Sequence, residues 1–370
     1  MKVLIISASA GAGHRKAAEA LYNSFNRAKI QAQKIDALDY TNPLFKSAYP
    51  SVYIFLVRFA PFLWGMIFHF LNIAILKPVI NPVRYFFNYI NGRPLIKYVL
   101  KEQPDVVICV HFFSAQLISR LKAAGRFKGY VVCGVTDFGV HQFWINQGTD
   151  YYLVASEMTK TELIAKGVPS DKILVTGIPV EEKFLEPAAK DELRKKLGVA
   201  EDTFTILVAS GGFGVGPIKK IVQNLDQMNQ SLQVLVICGE NDRLREFFAG
   251  QSFKKTVRVF GYVNNMHEFM AASDIIITKS GGLTVSESLV KALPMIIIRP
   301  IPGQEMRNAQ VVTKYKAGIK IDDASDVTKQ IELLLKDNRQ ELMAMKKNAQ
   351  KLGKGESADK ICQWVIQNLS

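Results

Sequence analysis

Three glycine-rich turns hold the residues whose types and spacing suit chemistry. The first, Ser7-Ala8-Ser9-Ala10-Gly11-Ala12-Gly13-His14, follows an apolar run and opens a helix near Gly13. Glycine lets backbone approach a ligand closely, and a helix N-terminus favours an anion. The spacing is not the GxGxxG of a dinucleotide site. It instead sets an imidazole beside that N-terminus, where the local field disfavours the charged ring. His14 therefore reads as a neutral general base or hydrogen-bond donor, with a backbone-satisfied turn histidine as the plainer alternative. The second turn, Ser210-Gly211-Gly212-Phe213-Gly214-Val215-Gly216, is closed by Pro217 at the first helical position. The third, Ser280-Gly281-Gly282, leads into a helix over Leu283–Ala292 and makes a nest of backbone N–H groups suited to phosphate. Glu287 lies one to two turns into that helix; it is placed to accept both hydroxyls of a ribose, or is a solvated helix acid.

The elements that must position these turns are readable from the apolar runs. Strands are predicted at Val3–Ser7, Asp105–Val110, Tyr130–Val135, Tyr151–Ala155 and Lys172–Thr176, and the series restarts at Thr205–Ala209. Gln233–Cys238, Val257–Phe260, Asp274–Thr278 and Met295–Ile298 follow, with helices between. Short β-branched runs joined by helices predict parallel sheets covered on both faces. Two such series, each opening on a strand and a Gly-rich turn, predict an α/β chain of two Rossmann-like domains facing each other across a cleft. The expected boundaries are 1–180 and 181–355, because Pro179, Pro187 and the charged run Lys190–Lys196 interrupt the alternation. The amphipathic tail 356–370 has no strand to pair with and is expected to pack back on the first domain.

Chain length (370 residues) suffices for two cores, and a composition 48% hydrophobic and 22% charged excludes disorder, collagen and disulfide scaffolds. Met1-Lys2 runs straight into an apolar strand instead of a cleavable leader, so a cytoplasmic location is expected. The four cysteines show no zinc-ligand or redox spacing, and no Asp-x-Asp pattern sits near the third turn. The net charge of +14 is concentrated early: residues 40–100 contain no Asp or Glu. That acid-free insert carries the uncharged run Phe59–Leu76, FAPFLWGMIFHFLNIAIL, between Arg58 and Lys77. A spanning helix is disfavoured by Pro61, Gly65, His69 and Asn72. The preferred reading is a segment lying in a bilayer interface, with Phe62, Trp64 and Phe68 in the acyl boundary. Arg58, Lys77, Arg84, Arg93 and Lys97 then sit near anionic head groups. An ordinary Phe-rich core is the alternative. The charge comes with aliphatics and Phe and not as a dense basic stripe, so membrane is preferred to nucleic acid.

Taken together, SGGLTVSES (280–288), Gly303-Gln304-Glu305 after a strand and GxGH near the N-terminus resemble the inverting glycosyltransferases of the GT-B fold. The relevant branch holds the bacterial UDP-N-acetylglucosamine transferase of peptidoglycan synthesis, the plant monogalactosyldiacylglycerol synthases and the bacterial processive diacylglycerol glucosyltransferases. The stretch VASEMTKTELIAKGVPSDKILVTGIPVEEKF (154–184) and Thr136-Asp137-Phe138, followed by His141 and Trp144, are most similar to the lipid-sugar members. The resemblance implies a second domain that binds a UDP-sugar. Val263 and Met266 would hold uracil and Glu287 the ribose. Gly212, Phe213, Gly214, Ser280, Gly281 and Gly282, with Leu283 and Thr284 behind them, would surround the diphosphate, and Gln304 and Glu305 would reach the sugar. Gly13 would face the donor from the first domain. The acceptor would be diacylglycerol, with His14 as first candidate base and Asp137 as second, or as a residue that orients His14. His141 and Trp144 would lie in the acceptor cleft. No metal or cofactor is implied, the donor sugar would be UDP-glucose or UDP-galactose, and sugars would be added once or processively. Lacking the plant N-terminal extension, the chain resembles a bacterial protein on the cytoplasmic face of the membrane, bound peripherally to anionic lipid. Two other readings are a UDP-N-acetylglucosamine transferase acting on an undecaprenyl-linked precursor and a catalytically idle UDP-sugar sensor. The acid-free insert and the VTGIPV stretch weigh against the first, and intact His14, Asp137 and Glu287 against the second. A nicotinamide oxidoreductase is disfavoured, since neither first-strand turn is followed by GxGxxG and a well-placed ribose acid.

Overall fold

Runs of Val and Ile bounded by glycine or polar turns form two all-parallel sheets of six strands each in the computed structural model. The structure describes every residue but Ala10, Phe213, Val215 and Ser370, and every other side chain but those of Arg58, Ala74 and Lys77. The first sheet contains β1 (Lys2–Ser7), β2 (Gln31–Asp36), β3 (Val106–Cys109), β4 (Tyr130–Gly134), β5 (Tyr151–Val154) and β6 (Ile173–Val175). Their order is β2-β1-β3-β4-β5-β6. The second contains β7 (Phe204–Ala209), β8 (Leu232–Ile237), β9 (Val257–Phe260), β10 (Ile275–Thr278), β11 (Met295–Ile298) and β12 (Gly318–Ile321), in the order β12-β11-β10-β7-β8-β9. Each sheet is Rossmann-like and reverses direction once, between β1 and β3 in the first and between β7 and β10 in the second. In open α/β sheets that reversal is where a crevice opens beyond the strands' C-terminal ends. The first and third glycine turns, and the second, leave those ends.

By its contacts the chain divides into one unit of Met1–Glu181, Pro302–Arg307 and Lys354–Ser370 and another of Glu182–Ile301 and Asn308–Gly353. In the first unit α1 (Ala12–Arg27) lies against the C-terminal helix Ser357–Leu369. Val3, Ile5, Leu21 and Phe25 bury with Ile361, Cys362 and Val365 in one cluster. Arg27 pairs with Asp359 at 2.7 Å, and Ser357 Oγ donates to the Gly177 carbonyl at 2.9 Å, so the tail is fixed by polar contacts as well as apolar ones.

The acid-free insert is helical: α2 (Pro43–Phe59), α3 (Pro61–Phe70), α4 (Lys77–Asn91) and α5 (Arg93–Glu102). Asn42 caps α2 by accepting from Phe45 N–H at 2.8 Å, and Pro61 begins α3 at a position where a missing N–H costs nothing. Among the described residues no single helix is long and apolar enough to cross a membrane; Pro43–Val57 and Pro61–Phe70 reach that length and composition only as a pair, bent by 113°. The buried side of the insert packs into the first unit's core through Phe45, Leu95, Ile96 and Val99. Elsewhere in the insert Leu44, Phe55, Phe62, Phe70, Ile75, Val79, Phe86 and Phe87 are exposed.

Two of the three aromatic residues expected in the membrane do not face outward. Phe62 is 78% exposed, but Phe68 is only 8% exposed and its ring centre lies 4.5 Å from that of His141, tilted by 54°. Trp64 is half-buried, edge-on to Tyr53 at 5.1 Å. Arg84 is likewise not a head-group residue: burial lowers its pKa to about 9, and its guanidinium lies 3.9 Å from the centre of the Phe143 ring. Arg93 and Lys97 are exposed as expected, whereas the side chains of Arg58 and Lys77 lie outside the described residues.

Candidate functional site

In the first unit, the turn after β1 brings His14 into the first turn of α1, beside the residues that end β3 and β4. Its Nδ1 lies 2.8 Å from the Val110 carbonyl and 2.9 Å from Thr136 Oγ1. A carbonyl can only accept, so Nδ1 carries the proton and Nε2 keeps a lone pair. The ring is ringed by protein, with His111 4.7 Å and Trp144 6.5 Å away between ring centres. Burial, partly opposed by the Val110 hydrogen bond, lowers its pKa to about 4. His14 is thus a neutral, oriented acceptor of protons at physiological pH. The plainer reading explains only half of the ring, since the backbone satisfies Nδ1 alone.

Asp137 follows Thr136 and is half-buried. Its charge acts on Tyr53, a residue of α2. Tyr53 was not foreseen from the sequence, where it is one aromatic among many in the insert. Its hydroxyl accepts from Gln304 Nε2 at 2.7 Å, and burial, Glu305 and Asp137 all raise its pKa. Gln304 and Glu305 were expected on the donor side, within the 181–355 span; by its contacts Pro302–Arg307 belongs to the first unit instead. The reason is local. Gly303 adopts φ of +100°, and a Cβ there would sit 2.6 Å from the Phe68 ring, so only glycine lets the segment lie on α3. Arg307 then donates to the Val140 carbonyl at 2.7 Å and pairs with Glu162 at 2.6 Å.

His141, expected to meet an acceptor, has both ring nitrogens in use. Nδ1 accepts from Phe143 N–H at 3.2 Å, and Nε2 donates to the Phe68 carbonyl at 3.2 Å. It ties α3 to the segment after β4 and keeps no nitrogen for a ligand. Burial holds its pKa at about 4, so the tie stays neutral. Trp144 is buried in the first unit's core, edge-on to Phe112 at 5.9 Å, and reaches the site only as a wall beside His14.

In the second unit three turns meet beyond β7, β8 and β10. At Gly214 φ is +55°, and a Cβ there would stand 2.1 Å from the Cys238 carbonyl, which ties the 210–216 turn to the end of β8. Asn241 Nδ2 donates to the Gly214 carbonyl at 3.0 Å, and Glu240 N–H to that of Gly212 at 2.8 Å. By contrast, a Cβ at Gly212 would meet no atom within 4 Å. Phe213 lies outside the described residues. The helix Gly282–Val290 starts after Gly281, with Ser280 fully buried and its carbonyl accepting from Asn308 Nδ2 at 2.8 Å. Leu283, Thr284 and Glu287 follow, all half-buried. Lys279 Cε lies 3.7 Å from the position of a Cβ on Gly216, which puts a cation across the second turn. Neither Lys279 nor Asn308 was foreseen, since neither belongs to a glycine motif. Val263 and Met266 sit half-buried just beyond β9, Met266 as the first residue of helix Met266–Ala272. The start of helix Gly282–Val290, open glycine backbone and a lysine form an environment for a polyanion. Among the described residues no group of three or more His, Cys, Asp and Glu is arranged to hold a metal ion.

Residues 14–180 match the monogalactosyldiacylglycerol (MGDG) synthase family, and residues 205–361 match the glycosyltransferase family 28 C-terminal domain. A processive diacylglycerol beta-glucosyltransferase of Bacillus cereus is 30% identical over 99% of this chain and 93% of its own. One from Bacillus thuringiensis matches to the same extent. Among solved structures, Acinetobacter baumannii MurG superposes with a TM-score of 0.62 at 14% identity, covering 99% of both chains. Anabaena Alr3699/HepE, solved in complex with UDP, gives 0.62 at 15% identity over 100% of this chain and 99% of its own. These two show the GT-B fold.

Proposed function

The chain belongs to the glycosyltransferase family of the monogalactosyldiacylglycerol synthases and processive diacylglycerol beta-glucosyltransferases, and from that premise we propose that it transfers a hexose from a UDP-sugar to diacylglycerol at a membrane surface. It is a glycosyltransferase of glycolipid synthesis. The observation that carries the finer reading is that one unit holds both a neutral His14 and an insert with many exposed apolar side chains. A base for a hydroxyl and a surface that seeks lipid belong together if the hydroxyl is a lipid's.

In this reading the diacylglycerol O–H gives its proton to His14 Nε2 as its oxygen bonds to the anomeric carbon. The bond from that carbon to the diphosphate breaks on the opposite face, its electron pair leaving on UDP, so configuration inverts to β. Backbone N–H groups of Gly211, Gly212 and the 280–282 helix start, with Lys279, take up the charge that develops on the leaving group; such preorganised donors are worth several kcal/mol in a site that excludes water. No metal is required by this route. Glu287 holds the ribose, and Val263 and Met266 border the uracil. Asp137 lies with Tyr53 and Gln304 at the sugar and acceptor side. Nδ1 of His14 is oriented by Val110 and Thr136.

The decisive assay offers the purified protein diacylglycerol in anionic vesicles with a panel of labelled UDP-sugars and resolves the lipids by chromatography. Labelled glycosyldiacylglycerol is expected from UDP-glucose or UDP-galactose; label in neither would reject the reading. A second measurement addresses the diphosphate cradle. Because a methyl group at Gly212 meets no protein atom, Gly212→Ala is expected to leave the melting temperature unchanged. If UDP fills that space, its affinity falls about ten-fold, or ~1.4 kcal/mol. Gly214→Ala, clashing with Cys238, lowers stability as well. Unchanged UDP affinity in Gly212→Ala would move the diphosphate elsewhere.

A further inference from the structure

His111 ends the turn after β3, and β3 is the direct neighbour of β1, with Ile6 in register with Cys109. Its ring stands edge-on to that of His14, 4.7 Å away, with Tyr49 of α2 at 6.2 Å on another side. Here too the backbone decides where the ring proton sits. His111 caps α6 (Phe112–Ala123): its Nδ1 lies 3.2 Å from Phe113 N–H, which can only donate. Nδ1 is therefore the lone-pair nitrogen, and the neutral ring carries its proton on Nε2. Burial, reinforced by the His14 imidazole, holds the ring well below the ordinary histidine range, so it stays neutral. The two rings are opposite tautomers. His14 offers a lone pair at Nε2, and His111 offers an N–H at Nε2.

A hydroxyl needs one of each. We propose that His111 is a second catalytic residue of the transfer, its Nε2–H donating to the acceptor oxygen while His14 Nε2 receives that oxygen's proton. The inference rests on the glycosyl transfer to a lipid hydroxyl proposed above. With one hydrogen bond given and one received, the oxygen's remaining lone pair is aimed, and only that lone pair attacks. As the O–H bond breaks and the bond to the anomeric carbon forms, the oxygen passes through a charged stage that a fixed N–H stabilises. His111 gains and loses no proton, so its cap on α6 persists through the step. The proton ends on His14 and the electron pair of the broken glycosidic bond on UDP.

A cap and a donor can be separated by side-chain length. Asparagine places its carbonyl oxygen where Nδ1 is and caps well, but its amide N–H ends short of Nε2. Glutamine reaches the Nε2 position with an amide N–H and loses the cap. For His111→Asn we expect a melting temperature and UDP affinity near those of the unaltered protein, and a kcat/KM for diacylglycerol reduced ~10²-fold. For His111→Gln we expect a lower melting temperature with turnover well above that of His111→Asn. The reverse order, an active asparagine variant and an impaired glutamine one, would assign His111 to helix capping alone and overturn the proposal. The unaltered protein is assayed in parallel with the same vesicles. If it makes no glycolipid, the reading of the reaction fails; if it does and His111→Asn equals it, only this inference fails.

Discussion

His14→Ala is expected to reduce turnover ~10²–10⁴-fold while UDP binds as before, because the mutation removes a proton acceptor and leaves the second unit untouched. Steady-state kinetics alongside calorimetry with UDP would check it; turnover within a factor of a few of normal would hand the base role to Asp137. The pH dependence is distinctive. With its pKa lowered to about 4, the free ring is unprotonated far below the ordinary value of 6.5, so the acid limb of kcat/KM should lie near pH 4. A limb near 6.5 would mean that the ring is solvated in the working enzyme. Stability follows the same sign. The folded state disfavours the protonated ring, so the unfolded chain binds the extra proton, and stability is complete above pH 6.5 and declines as pH falls from there toward 4. His111 and His141 are lowered in the same direction by burial and add to that acid loss.

The central strands were legible because they are buried on both faces and read as unbroken Val and Ile runs. Of the four edge strands, β6 and β9 were legible too, but β2 and β12 were not. β2 is QAQKID, with only Ile35 buried, and β12 is Gly318–Ile321, half-exposed at its middle; neither has the apolar continuity that marks a strand. The glycine turns were legible for the same reason that they work, since few residues tolerate those backbone angles. What the sequence concealed was tertiary. The carbonyl of Val110 that sets the tautomer of His14 has no side-chain signature at all. Tyr53 and Lys279 sit in unremarkable local contexts and acquire meaning only from Gln304 and Gly216. His111 reads as a core histidine until its ring is seen beside His14.

The insert shows the limit most sharply, and it supplies the other large prediction. α3 is PFLWGMIFHF, apolar nearly all round, so no polar stripe reveals which side faces the core. Composition alone pointed to Phe62, Trp64 and Phe68 together, whereas the fold turns Phe62 outward and Phe68 inward against His141 and Gly303. The membrane test must therefore use outward residues. Phe62, Phe70, Phe86 and Phe87 replaced together by serine should abolish sedimentation with anionic vesicles. At about 1 kcal/mol for each partly inserted ring, four weaken partitioning roughly 10³-fold. UDP affinity should be unchanged, and turnover on a short-chain, water-dispersed diacylglycerol should persist. Phe68→Ser should behave oppositely, keeping vesicle binding while lowering the melting temperature and turnover, because it empties the packing on which Gly303 and His141 rest. Raising salt should weaken vesicle binding of the unaltered protein only in part, since exposed Arg93 and Lys97 supply a screened attraction and the aromatic rings one that salt does not screen. Undiminished sedimentation of the fourfold variant would remove the insert from the membrane, and with it the explanation of how a half-buried base meets a hydroxyl carried by lipid.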